Sequence, residues 1–94
     1  MENRLMLQDG HLLAVFNSVH RVMQAEDLLK DAGIPILLMP APRKLKTDCG
    51  MAIRFTQAEL AVVENVLSSR SLMPDYISCY ENKAFTIVWQ SKKT

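Results

Sequence analysis

Cysteine is scarce in this chain: Cys49 and Cys79 are the only two in 94 residues. Two cysteines do not make a disulfide scaffold, and no CxxC pair or His/Cys cluster has metal-ligand spacing, so no metal site is expected. Long hydrophobic runs are missing as well. No apolar stretch approaches the ~20 residues that cross a bilayer, and Met1–Gly10 lacks the apolar run of a secretory signal. The expectation is a cytoplasmic protein with reduced thiols and no membrane partner. An excess of one charge is also absent. Eleven basic against ten acidic residues leave a net charge of +1, which gives no electrostatic case for nucleic acid. There is no GxSxG, P-loop or GxGxxG, so neither a hydrolase elbow nor a nucleotide cofactor is indicated.

What remains is an ordinary globular composition, 49% hydrophobic and 22% charged. The length argues for one domain over residues 11–90, with tails at 1–10 and 91–94. Leu12–Phe16 is an apolar run of strand length. Asn17-Ser18 offers an N-cap for a helix from Val19 to Ala32, with Val22, Met23, Leu28, Leu29 and Ala32 at helical spacing. Gly33 and Pro35 stop it. Ile36–Met39 is a second strand, ended by Pro40 and Pro42.

A loop from Pro40 to Cys49 leads into a third strand, Met51–Phe55. Thr56 and Glu59 form a capping box, flanked by a Phe55/Leu60 hydrophobic staple, and open a second helix that ends near Ser69. Tyr76–Glu81 and Phe85–Gln90 are further strand candidates. Glu81–Ala84 joins them as a hairpin, or the region is one long irregular strand. Trp89 and this last segment bury either against the domain's own sheet or against a second copy of the chain, as in a homodimer.

The order strand, helix, strand, strand, helix, strand is that of an α+β, ferredoxin-like βαββαβ sandwich. Right-handed crossovers place both helices on one face of an antiparallel sheet, with the C-terminal segment as an extra edge strand. Following the directions, the loop before the third strand returns to the edge where the first helix begins. Cys49-Gly50 is therefore expected near Asn17, Ser18, His20 and that helix N-terminus, with the Ser69–Asp75 connection at the same edge.

The loop gives Cys49 the surroundings of a reactive thiol. Arg43, Lys44 and Lys46 against Asp48 leave a basic excess of two, and cations or a helix N-terminus favour the nucleophilic thiolate. Asp48 opposes this by repelling negative charge. Gly50 permits a positive φ or a close backbone approach. His20 is a candidate thiolate stabiliser, and Ser18, Arg43, Lys44 and Lys46 are candidates for holding an anion or a partner. Cys79, between Ser78 and Tyr80 in a strand pattern, reads as a core residue. A Cys49/His20 pair has no third orienting group, which argues against a cysteine hydrolase.

Phe16–His20, Ala25–Lys30, Ala32–Pro35, Pro40–Arg43 and Asp48–Phe55 together resemble the selenium/sulfur carrier protein-like family of small bacterial domains, over roughly residues 11–82. The Cys-Gly pair, preceded by Pro-x-Pro-Arg, is the most specific part. The resemblance implies a persulfide or selenopersulfide carried on Cys49, with sulfur or selenium donor and acceptor proteins as partners. The chain departs from the pattern with Lys-Leu-Lys-Thr where small hydroxyl residues are common, and it extends beyond the usual end with 84–94. The alternative is a non-catalytic binding or interaction module in which Cys49 only packs.

Overall fold

The computed structural model describes residues 7–92, so the expectations for 1–6 and 93–94 lie outside the described residues. Strands β1 (Leu12–Val15), β2 (Leu37–Pro40), β3 (Met51–Phe55), β4 (Tyr76–Glu81) and β5 (Ala84–Gln90) form one sheet in the order β2-β3-β1-β4-β5. All its pairings are antiparallel. Helices α1 (Val19–Asp31) and α2 (Leu60–Ser69) complete the ferredoxin-like α+β arrangement, and β5 adds the extra edge strand.

Alternation along the strands divides the apolar residues into two layers. Leu12, Ala14 and Phe16, with Ile53, Phe55 and Ile77, meet Val22, Ala25 and Leu29 of α1 and Val63 and Leu67 of α2. Leu13, Val15, Ala52 and Met39 point to the other face, where Leu45 joins them in a second buried cluster. β1, the central strand, is thus buried on both sides. The covering of the second face comes from the loop between β2 and β3. It folds back across the sheet with Leu45 as its anchor, 9% exposed, while the Tyr76 hydroxyl donates to the Lys46 carbonyl at 2.9 Å. Leu45 is the one apolar residue among Arg43, Lys44 and Lys46, and burial of its side chain is what fixes the loop's path.

Local signals placed the elements well. Ser18 caps α1, its Oγ accepting from the Arg21 amide at 3.3 Å. Glu59 Oε1 receives both the Thr56 amide (2.9 Å) and hydroxyl (2.7 Å), although the first turn, Gln57–Glu59, is 3-10 and the α-helix proper starts at Leu60. β2 runs one residue later than expected, to Pro40, which an edge strand tolerates because proline lacks only an outward donor.

The hairpin reading of the C-terminal region holds. Asn82 and Lys83 make its two-residue turn with φ of 52° and 62°. The β4–β5 register slips between Ile77 and Ser78, so that Val88 is an unpaired bulge residue. The bulge sends Trp89 to the helix side, where it packs on the main core, while Phe85 joins the second cluster. Trp89 therefore covers the chain's own sheet. Residues 7–10 are tied in as well, with Leu7 against the second cluster and the Gly10 amide donating to the Tyr80 carbonyl at 2.8 Å.

Candidate functional site

The expected edge is where the Cys49 turn lies. Phe16 leaves β1 with a carbonyl that no longer has a strand partner, and the loop before β3 satisfies it. The Thr47 hydroxyl donates to the Phe16 carbonyl at 2.6 Å, and the Cys49 thiol donates to the same oxygen at 3.0 Å. Asn17 fixes the edge from both sides. Its amide donates to Asp75 Oδ2 at 2.7 Å, and its own Oδ1 accepts from the Asp48 amide at 3.4 Å. Arg21 Nη2 reaches the Met73 carbonyl at 3.0 Å, so the connection between α2 and β4 arrives there too.

Cys49 Sγ sits among polar contacts. The Met51 amide donates to it at 3.4 Å, the Met51 carbonyl lies at 3.5 Å, and Thr47 Oγ1 at 3.4 Å. Thr47 Oγ1 also accepts from the Cys49 amide at 3.2 Å, a hydroxyl turn two residues long. The residue is half-buried and rests against the main core. Cys79 differs: 9% exposed within the core, its sulfur has only long contacts, to Gln57 Nε2 at 3.8 Å and the Tyr80 carbonyl at 4.0 Å.

Gly50 has a φ of +74°, and a Cβ built on it would meet nothing within 4 Å. Of the two reasons for a glycine, the positive φ is the one present here; space is not limiting. Its carbonyl accepts from the Ala41 amide at 2.8 Å and closes the loop.

The remaining candidates are spread more widely. Ser18 Oγ is engaged as the α1 cap. His20 is exposed on the first turn of α1, and among the described residues no hydrogen bond joins it to Cys49. Arg43, Lys44 and Lys46 are exposed and line hollows on the sheet face opposite the helices, with Lys44 Nζ at 3.5 Å from the Lys83 carbonyl. The residues that contact the thiol are Phe16, Thr47 and Met51. Phe16 and Met51 make theirs through main-chain groups, which side-chain reasoning does not reach. Thr47 was open to sequence reasoning through the Thr-x-Cys spacing, which suits a side chain that bonds the backbone two residues on.

No group of three or more His, Cys, Asp or Glu side chains fit to hold a metal occurs among the described residues, and no helix there is long and apolar enough to cross a membrane. What the turn offers is a sulfur at an edge, with one amide donor aimed at it and one hydroxyl able to turn toward it. Compared with known proteins, the chain matches the model of the family described as "Putative Se/S carrier protein-like" over residues 11–79. No curated protein and no solved structure matches it.

Proposed function

The chain belongs to the Se/S carrier protein-like family, and from that premise we propose that Cys49 accepts a sulfur or selenium atom from a donor protein and passes it to an acceptor. The observation that carries this reading is the contrast between the two cysteines: Cys49 is half-buried at a loop edge among hydrogen-bonding groups, and Cys79 is closed in the core.

The step balances without an outside oxidant. The Cys49 thiolate attacks the outer sulfur of a donor persulfide. The donor S–S bond breaks as the new one forms, the donor cysteine leaves as thiolate, and Cys49 holds a persulfide. Delivery repeats the exchange, with an acceptor nucleophile attacking the outer sulfur and Cys49 leaving. Selenium follows the same course as a selenopersulfide.

The Met51 amide supports negative charge on Sγ, and the Thr47 hydroxyl does so once it turns from Phe16. Gly50 sets the turn, His20 and Ser18 border the edge, and Arg43, Lys44 and Lys46 help dock donor and acceptor proteins. A reducing cytoplasm keeps Cys49 available, and the protein acts as a group carrier with its partners rather than by turning over a substrate alone.

Mass spectrometry after incubation with a cysteine desulfurase and cysteine tests the reading. Wild type and Cys79→Ala gain sulfur, and Cys49→Ala does not; equal labelling of wild type and Cys49→Ala overturns it.

One observation favours a second reading, a non-catalytic binding module in which Cys49 packs: the shortest contact of Sγ is to a main-chain carbonyl. Alkylation of Cys49 no faster than that of Cys79 in the folded protein would support it.

A further inference from the structure

The net charge of +1 hides a segregation that the fold creates. The helical layer carries five carboxylates (Glu26, Asp27, Asp31, Glu59 and Glu64) against three cations, Arg21, Lys30 and Arg70 at the C-cap of α2. The opposite face of the sheet carries two neighbouring hollows of about 570 and 520 Å³. Arg43, Lys44, Lys46 and Lys83 line them, and among the described residues no carboxylate does. Nor does any described carboxylate pair with these four cations.

The larger hollow has the make-up of a small-molecule site. Its walls are apolar, with Met39 on one side and Tyr80 and Phe85 on the other, and three cations, Arg43, Lys44 and Lys83, stand around it. Tyr80 and Phe85 pair across β4 and β5 with ring centroids 5.1 Å apart and planes tilted by 49°. Both walls are held in place. Leu45 is buried beneath the loop, Lys44 Nζ spans to the Lys83 carbonyl, and the Asn82 amide donates to Asp9 Oδ1 at 3.1 Å. A volume of several hundred Å³ with apolar walls and a few convergent polar groups is what ligand sites of this class present. Aromatic rings offer a flat apolar body a partner, and clustered cations select a negative group on it.

We propose that this face binds a small aromatic carboxylate, its ring against Tyr80 and Phe85 and its carboxylate among Arg43, Lys44 and Lys83. The site shares no side chain with the Phe16, Thr47 and Cys49 cluster, so its test does not depend on sulfur transfer at Cys49; Arg43 and Lys44 are what it has in common with the proposed docking of donor and acceptor proteins.

The test is a titration of the full ¹⁵N-labelled chain with 2-naphthoate and, separately, with uncharged 2-naphthamide. Saturable amide shifts are expected at Arg43, Lys44, Lys83 and Phe85 with 2-naphthoate, and affinity for the amide should be about fivefold lower, the scale of one partly exposed charge contact. Lys83→Gln should weaken 2-naphthoate by a similar factor, while Cys49→Ser should bind as wild type does. Equal affinity for acid and amide would overturn the proposal. So would shifts confined to the α2 groove around Val62 and Met73, or no saturation by about 10 mM, beyond the millimolar range of weak specific sites.

Discussion

The Thr47 hydroxyl and the Cys49 thiol converge on one acceptor, the Phe16 carbonyl, at 2.6 and 3.0 Å. Each has a single proton to give, and Thr47 Oγ1 lies 3.4 Å from Sγ. When the thiol proton leaves, Sγ loses its reason to face a carbonyl oxygen, and the hydroxyl is the nearest side-chain donor able to replace it. Thr47→Val removes that donor together with the acceptor of the Cys49 amide. Cys49 alkylation by iodoacetamide near neutral pH should slow about fivefold, the rate equivalent of one hydrogen bond worth about 1 kcal/mol. Thr47→Ser should restore it.

Gly50 is required for its backbone angle alone. Gly50→Ala places a side chain at φ +74° without a clash and should cost about 1 kcal/mol in urea unfolding. Gly50→Asn, which tolerates left-handed geometry, should cost less. A loss well above this range would show that the site is crowded.

Lys83 is the second residue of a two-residue hairpin turn and sits at φ 62°, where glycine is the preferred occupant. Lys83→Gly should raise stability by up to about 1 kcal/mol in denaturant unfolding, and the same substitution should weaken 2-naphthoate. Opposite movement of stability and binding in one variant would mark Lys83 as a residue held at a strained position that also serves the hollow.

Leu45 is the apolar anchor of the loop over the open face, only 9% exposed. Leu45→Ala should cost about 2 kcal/mol. It should also speed hydrogen exchange at the Ala41 and Leu45 amides, which bond to the Gly50 and Pro42 carbonyls.

Burial, and secondarily the charge of Arg54, lower the pKa of His11 below its usual 6.5, and its Nδ1 accepts from the Gln8 amide at 2.9 Å. A lowered histidine pKa means that, as pH falls through 6.5, the unfolded chain takes up a proton the folded chain resists. Stability is therefore full above that pH, declines as pH falls, and levels off below the folded-state value. Urea midpoints measured from about pH 7.5 to pH 5 should show the decline, and His11→Asn, which keeps an acceptor, should flatten it.

Much of this molecule was readable from residue order. The Ser18 cap, the Thr56/Glu59 pair and the apolar runs fixed elements whose directions brought Cys49 to the Phe16–Asn17 edge. Two features escaped. The thiol's surroundings are largely main-chain groups, Phe16 C=O and Met51 N–H, which carry no side-chain signature. The basic loop was read beside the cysteine because sequence proximity suggested it. The burial of Leu45 instead carries Arg43 and Lys44 onto the sheet's second face, and there a near-neutral chain separates its charge.

The bulge at Val88 has a spectroscopic consequence. By turning the last residues of β5 it sets the chain's single tryptophan, Trp89, against α2, with the sheet between its indole and the basic hollow. Its emission is a built-in gauge of whether the helical layer remains packed. Changes introduced at Lys83 can be judged for integrity of the fold from this emission before any ligand is added.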